Sequence, residues 1–423
     1  VPRLDRKPDR LPTDPAAPQL LRGRHVLMVG VDYAPERTGI APHTTGLAEH
    51  LAQRAASVSV LAGRPVRGGA SAASRASASQ GPAPQVLRVR RGAVRGEGPL
   101  GRAGDELGFL TAALSTALPH VPDLVLAVTP GLGGAVAAAR IARRHQCPLV
   151  VVVHDLVSTR TDGGCSARAV RIAAATEGRL LRQAAEVAVV SPGLFGPARA
   201  HGVPVGHLHL LPHWSPAPPA SDDRVAARKA LGWPTRAFTV VHTGAMGSSK
   251  DLETVIEAAR LLDGQAHVVL IGDGPRRAAL REQAHDVRGL RFVDPLDDEP
   301  YALALAAADL LLIVERPDNT SLCLPGRLTA YFGAGRAVLA AVPVTGAVAG
   351  ELHRADGAGL VIRPGDPALL AAAVRAMLLD DALRTAMGRA GLRHAHRRLD
   401  RSSAMHRLDA IVESALNPEP GAR

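Results

Sequence analysis

The sequence predicts an α/β protein of two doubly wound domains, and three observations carry that expectation. Short apolar runs of buried-strand length alternate with helical patterns, the order produced when parallel strands are joined through crossover helices. At 423 residues the chain is longer than the ~100–200 residues usual for one domain. Midway, the composition shifts to PHWSPAPPASDD, where Pro212, Pro216, Pro218 and Pro219 stiffen a hinge expected over residues 212–223.

Residues 1–24 are charged and proline-rich, with no apolar core of signal-peptide length, and are expected to be a disordered leader. The first domain, expected over 25–211, opens with the apolar run His25–Val31, the loop DYAPERTGIAPHTT, a helix at Gly46–Arg54 and a strand at Ser57–Leu61. Gly39 falls beyond the first strand's carboxyl end, where open parallel sheets place ligands; a plain turn glycine is the alternative. Residues 63–84 are rich in Gly, Ser, Ala and Arg without an apolar period and predict a mobile surface insertion. A strand follows at Val86–Arg90, a helix at Glu106–Leu118 and a strand at Asp123–Val128. GLGGAV at 131–136 fails the dinucleotide fingerprint, because it does not follow the first strand and lacks the later acidic residue, and reads as helix–sheet packing.

The run Pro148–Val153 delivers His154 and Asp155 to the sheet's carboxyl edge. A polar group ending a buried strand must find a partner or line a cleft, and this location favours the cleft. A helix over Ala167–Ala184 and a strand over Val187–Ser191 lead to HLHLLPHW, which gathers His207, His209 and His213. Alternation sets His207 and His209 on one face, but no carboxylate completes a metal set, so these are expected to be surface histidines.

The second domain, expected over 224–390, is organised around Thr239–Ala259. A β-branched strand ends in Gly244, Gly247, Ser248 and Ser249, and apolar residues at Leu252, Val255, Ile256 and Ala259 then recur at helical spacing. Unpaired N–H groups at such a helix start, with Lys250 beside them, form an anion pocket suited to phosphate. Strands follow at His267–Ile271, running into GDGP (Gly272–Pro275), then at Leu290–Val293 and Asp309–Val314. A helix at about Gly326–Gly333 precedes strands at Ala337–Ala341 and Gly359–Ile362. Residues 391–423 read as a C-terminal helix and tail that could pack back on the first domain.

Composition narrows the function. Hydrophobic residues make up 46% and aromatics only 2%, so Ala, Leu and Val must fill the cores. The net charge of +11 lies entirely in residues 1–210, which hold 25 Lys and Arg against 14 Asp and Glu. That excess suits a phosphorylated substrate or an anionic membrane surface; scarce aromatics and the lack of a reader motif argue against nucleic acid. Cys147, Cys165 and Cys323 form no CxxC pair, which fits a reducing, cytoplasmic setting. No run approaches the ~18 apolar residues of a membrane span.

In this order, VGVDYAPERTGIAPHTTGLAEHLA, HDL, LPHWSP, GAMGSSKDL, GDGP, LPGRLTAYFGAGRAVLA and DGAGLVIRPGDPALL resemble the retaining glycosyltransferases of family 4, closest to the colanic-acid and O-antigen amino-sugar branch. The likeness spans about residues 25–415. It implies two Rossmann-like domains facing across a cleft, the glycosyltransferase B-type fold, with acceptor in the first domain and nucleotide-sugar donor in the second. Gly244 and Lys250 match the family's phosphate loop, Arg327 a basic helix-start position opposite the same phosphates, Gly39 the first-loop glycine, and His154 a strand-end histidine facing the sugar. The resemblance extends donor contact to Ser248, Gly272, Gly274, Pro325, Gly326 and Thr329.

It also shows departures. The acidic pair carried by many members aligns with Leu322 and Ala330, and the first phosphate-loop arginine with Ala245 or Met246. Glu315 is a candidate substitute carboxylate or a solvated loop residue. With no protein nucleophile evident, the resemblance implies front-side attack in which the leaving phosphate takes the acceptor's proton, without a cofactor or metal. The expected activity is sugar transfer to a saccharide, lipid-linked or metabolite acceptor at the inner membrane face. The alternatives are an epimerase or phosphorylase on the same fold, and a non-catalytic nucleotide-binding homologue.

Overall fold

A computed structural model describes residues 21–36, 39–65, 82–90, 99–159, 167–214, 223–319 and 322–418. Two all-parallel sheets form the frame. The first holds β1 (His25–Val29), β2 (Ser57–Gly63), β3 (Gln85–Val89), β4 (Leu124–Val128), β5 (Leu149–Val153), β6 (Glu186–Val189) and β7 (Leu208–Leu210), in the spatial order β3-β2-β1-β4-β5-β6-β7. The second holds β8 (Phe238–Thr243), β9 (Ala266–Ile271), β10 (Leu290–Val293), β11 (Leu310–Val314), β12 (Ala337–Ala341) and β13 (Gly359–Ile362), ordered β10-β9-β8-β11-β12-β13. Each sheet reverses its winding once, between β1 and β4 and between β8 and β11. Such a switch point leaves a crevice at the strands' carboxyl ends.

Burial on both faces explains the strand compositions. LVVVV of β5 and LLLIV of β11 are buried throughout, because helices cover both sides of a parallel sheet. The first core joins β1, β2, β4, β5 and β6 to the helices Ala41–Ala52 and Leu132–His145. Two clusters on opposite faces of the second sheet form the other core.

Several expectations change. The first helix begins at Ala41, five residues before Gly46, with a proline in its first turn. Gly46 is interior to it, and a Cβ there would lie 2.9 Å from the Trp214 ring. The helix expected over Glu106–Leu118 runs over Pro99–Ser115. Two of the GLGGAV glycines pack on that helix, and the first packs at the end of the sheet: a Cβ at Gly133 would collide with the Glu106 carbonyl, one at Gly134 would reach 3.1 Å from Phe109 Cε1, and one at Gly131 would lie 2.6 Å from Val31 Cγ2, just past β1.

Most of the expected leader, residues 1–20, and most of the expected insertion, 66–81, lie outside the described residues. Leu21, at the leader's end, is buried in the first core, and Gly63 completes β2. Of the expected hinge, 215–222 lie outside the description, while His213 and Trp214 are buried.

The C-terminal segment divides at Asp400 rather than at residue 391. Helix Asp381–Arg398 packs on helix Gly326–Gly333 and β12, whereas helix Arg401–Leu416 sends Met405, Leu408, Ile411 and Val412 into the first core. Asp409 of this last helix accepts from His50 Nε2 at 2.8 Å and pairs with Arg54. Ser414 donates to Glu186 at 2.6 Å. Among the described residues no helix is long and apolar enough to cross a membrane.

Candidate active site

The carboxyl end of β8 sets the site. After Thr243 the chain turns at Gly244, whose φ of 127° and closeness to Arg327 both demand glycine: a Cβ there would lie 2.8 Å from the guanidinium carbon. The turn is braced by the loop after β9. Gly244 N–H donates to Ile271 O and Met246 N–H to Asp273 O, both at 2.9 Å. Gly272 and Gly274, expected to contact donor, belong to this bracing loop. A Cβ on Gly272 would collide with Gly244 O, and one on Gly274 would come within 2.7 Å of Met246 O. Met246, aligned with the missing arginine, is buried in the core instead.

Lys250 and Arg327 then face each other across this turn. Lys250 Nζ lies 3.6 Å from Glu315 Oε1, just beyond β11. Glu315 is therefore a buried ion-pair partner, not a solvated loop residue. Burial first, and the Arg327 charge second, push Lys250 down to about 8, with Glu315 opposing. Arg327 occupies the first turn of helix Gly326–Gly333, after Pro325 as the extended residue before it. Its Nη1 donates to Thr243 O at 2.5 Å and to His242 Nε2 at 3.1 Å.

His242 is fully buried, and its other nitrogen, Nδ1, bonds Leu312 O at 3.0 Å. A carbonyl can only accept and a guanidinium can only donate, so the ring carries its proton on Nδ1 and offers Nε2 to Arg327. Burial and the neighbouring cation hold His242 well below its ordinary pKa, which keeps it neutral. Tyr331 continues the network, accepting from Thr243 N–H at 2.9 Å and donating to Leu312 O at 3.4 Å. Burial pushes its phenol up to about 12. His242 and Tyr331 were not among the expected site residues; a histidine inside the buried run TVVHT was the available signal.

The first sheet approaches the start of the same helix. His154, after β5, shares a 2.7 Å bond with His213, and His43 stacks on His213 with ring centroids 4.1 Å apart. All three rings are buried, so His213 is no surface histidine, and His154 is one member of a buried histidine layer. Burial drives all three below their ordinary value, His213 to about 4. His43 and His213 both reach the second domain: a Cβ on Gly326 would lie 3.6 Å from His43 Nε2, and His213 interacts with the Leu324 backbone. Two further contacts close the seam: Ser191 Oγ donates to Leu322 O at 2.7 Å, and Thr329 Oγ1, which donates to Gly326 O at 2.7 Å, also lies 3.3 Å from Trp214 O.

Thr329, expected to touch donor, is thus buried in the domain seam. Ala330 is buried in the second core and Leu322 lies against Gly193 at the seam. Ser248 is exposed on the Lys250 turn, its carbonyl accepting from Arg316 Nε at 2.6 Å. Gly39 holds φ of 65° just before helix Ala41–Ala52. His207 and His209 do meet a carboxylate: buried Glu186, at the start of neighbouring β6, bonds them at 3.3 and 2.6 Å. Even so, among the described residues no group of His, Cys, Asp and Glu is arranged to hold a metal ion.

Comparison with known proteins agrees with this architecture. Residues 38–214 match the model of the glycosyl transferase 4-like domain, and 237–380 that of the glycosyl transferases group 1. WcaI of Escherichia coli (strain K12), named as a colanic acid biosynthesis glycosyl transferase, is 26% identical over 381 residues, covering 84% of this chain and 92% of WcaI. The D-inositol 3-phosphate glycosyltransferase of Corynebacterium kroppenstedtii is 29% identical over 215 residues, 47% of this chain and 45% of that protein. Among solved structures, Anabaena HepE in complex with UDP and glucose superposes with a TM-score of 0.70 at 20% identity, covering 93% of this chain and 100% of HepE. WaaG, a glycosyltransferase involved in lipopolysaccharide biosynthesis, gives 0.67 at 18% identity, covering 92% and 99%. With a 4-like domain followed by a group 1 domain on two Rossmann-like sheets, the chain belongs to the family 4-like glycosyltransferases.

Proposed function

We propose that this glycosyltransferase is a retaining enzyme that moves a sugar from a nucleoside-diphosphate sugar to a saccharide, lipid-linked or metabolite acceptor in cell-surface polysaccharide or glycoconjugate assembly. The observation that carries this reading is the convergence of Lys250 and Arg327 at the carboxyl end of β8, beside a helix start. HepE, which shares the fold, was solved with UDP-glucose.

Glycosyl transfer breaks the bond between the anomeric carbon and the diphosphate oxygen, and charge grows on that oxygen as the bond lengthens. Fixed cations stabilise the transition state more than the ground state, because the charge they oppose is larger there. Lys250 gains most from this: a bound diphosphate offsets the burial that depresses its pKa and holds the ammonium charged. Glu315 keeps Lys250 in place. In the proposed reaction the acceptor oxygen attacks from the departing side, and its proton passes to the leaving phosphate oxygen. The basic first half of the chain supports work on an acceptor at the inner membrane face.

The experiment is turnover of nucleoside-diphosphate sugars with and without acceptor, by the wild type and by Lys250→Ala and Arg327→Ala. Each variant is expected to lose roughly 10²–10³-fold in kcat, as when one charge-stabilising donor is removed. Unchanged turnover in both would sink the site assignment. Donor consumption that never needs an acceptor would favour an epimerase, and none under any condition a binding protein.

A further inference from the structure

The amino-terminal end of the second sheet carries a basic cavity, at the opposite end of the strands from Lys250 and Arg327. It has a volume of about 540 Å³ and opens at the amino ends of β11 and β12, where Asp309 precedes one strand and Ala337 begins the other. Five residues of strand at about 3.3 Å each separate the two ends by on the order of 15 Å.

One wall is a single face of helix Asp381–Arg398, where Arg384, Gly388, Leu392 and His396 recur every fourth residue with Arg389 alongside. The floor is the turn Gly333–Ala337. The helix can cross it this closely only because Gly388 lacks a side chain: a Cβ there would collide with the Gly335 carbonyl oxygen.

The lining is strongly positive. Arg224, Arg336, Arg384 and Arg389 face one lining carboxylate, Asp309, and that carboxylate is already engaged. It accepts from Arg224 Nη1 at 2.9 Å, buried Arg228 Nη2 at 2.5 Å and Thr239 N–H at 2.7 Å. Arg384 is nine-tenths buried. Its terminal nitrogens bond the Met377 and Leu378 carbonyls and Asp381, but its buried Nε–H has no partner. Its guanidinium lies over the Phe238 ring, 5.0 Å from the centroid, so it is held in place as a fixed charge in the cavity wall. Arg389 is exposed and forms no hydrogen bond or ion pair with a described residue.

We propose that this cavity binds a small phosphate-bearing ligand, a phosphate or diphosphate ester, at a site separate from the donor crevice. Clustered guanidinium groups match phosphate oxygens in charge and in planar, forked geometry. The volume falls within the ~300–1,000 Å³ range of small-ligand sites.

Calorimetric titration of the full chain with inorganic pyrophosphate, in the Lys250→Ala/Arg327→Ala background, separates this site from the donor crevice. One site is expected to persist there, and adding Arg389→Ala is expected to weaken it by about tenfold or more, the loss typical of one charged partner. Equal melting temperatures with and without Arg389→Ala confirm the fold. Should the background variant not fold, the wild type serves, and one of two sites is expected to be lost on Arg389→Ala. Dihexanoyl phosphatidic acid below its micellar concentration distinguishes the source: tighter Arg389-dependent binding of the lipid indicates a headgroup, and tighter binding of pyrophosphate a soluble ester. No binding of either probe, or binding that Arg389→Ala leaves unchanged, overturns the proposal. Both arms are read independently of whether Lys250 and Arg327 hold the donor.

Discussion

Arg327 Nη1 and His242 Nε2 meet at 3.1 Å, and this pairing fixes a candidate catalytic cation to the end of a buried strand. Because Nδ1 of the same ring is tied to Leu312 O, the ring cannot turn, and Arg327 inherits the rigidity of β8 and β11. His242→Ala is expected to lower kcat roughly 10- to 100-fold, the range of a lost hydrogen bond to a charged group, with a smaller effect on KM. His242→Asn, which can still accept from Arg327, is expected to recover part of that loss. Equal kinetics in His242→Ala and the wild type would remove His242 from the positioning network.

Lys250 is expected to give the enzyme an alkaline limb. Its pKa, lowered to about 8, means that the unliganded enzyme loses the ammonium charge as pH rises through about 8. The ratio kcat/KM is expected to fall above that pH. The limb in kcat should lie higher, since bound diphosphate favours the charged form. Lys250→Arg keeps its charge at all accessible pH and is expected to lose the limb whatever its absolute rate. A limb that persists in Lys250→Arg would assign it to another group.

The histidine layer gives an acid limb in stability. His213 titrates near 4 in the fold against an ordinary 6.5, so the unfolded chain binds more protons between these values. Its contribution is complete above pH 6.5 and is lost as pH falls towards 4, amounting to about 3 kcal/mol at 1.36 kcal/mol per unit. His43 and His154 act in the same direction. The melting temperature of the wild type is expected to drop more steeply between pH 6.5 and 4.5 than that of His213→Gln. Parallel slopes would show that the layer titrates normally.

Restoring the missing acidic pair should fail at one of its positions. Ala330 is 3% exposed inside the second core, so Ala330→Glu is expected to cost about 3 kcal/mol or more by burying an unpaired charge. Leu322→Glu, at the half-buried seam, should be tolerated. Thermal denaturation of the two variants decides this, and a stable, more active Ala330→Glu enzyme would contradict the buried placement.

Much of the frame was legible in the chain itself. The strand runs of the second domain, the helix at Gly326–Gly333 and the turn carrying Lys250 announce themselves through apolar period and glycine placement, which are local properties. What local pattern cannot carry is distance between residues far apart in sequence. GDGP reads as a ligand loop and Thr329 as a donor contact, but that Gly272 presses against Gly244, and that Thr329 lies 3.3 Å from Trp214 O of the other domain, is set only by the fold. His43, His154 and His213 come from separate segments and become one buried layer only when β5 and β7 share a sheet with the first helix packed against it. The two doubly wound sheets and the cation-bearing turn follow from local pattern, because backbone preference and burial act between near neighbours. The pairing of Lys250 with Glu315, the hold of His242 on Arg327 and the gathering of four arginines at the strands' opposite ends come from the folded arrangement, because desolvation and charge act through space.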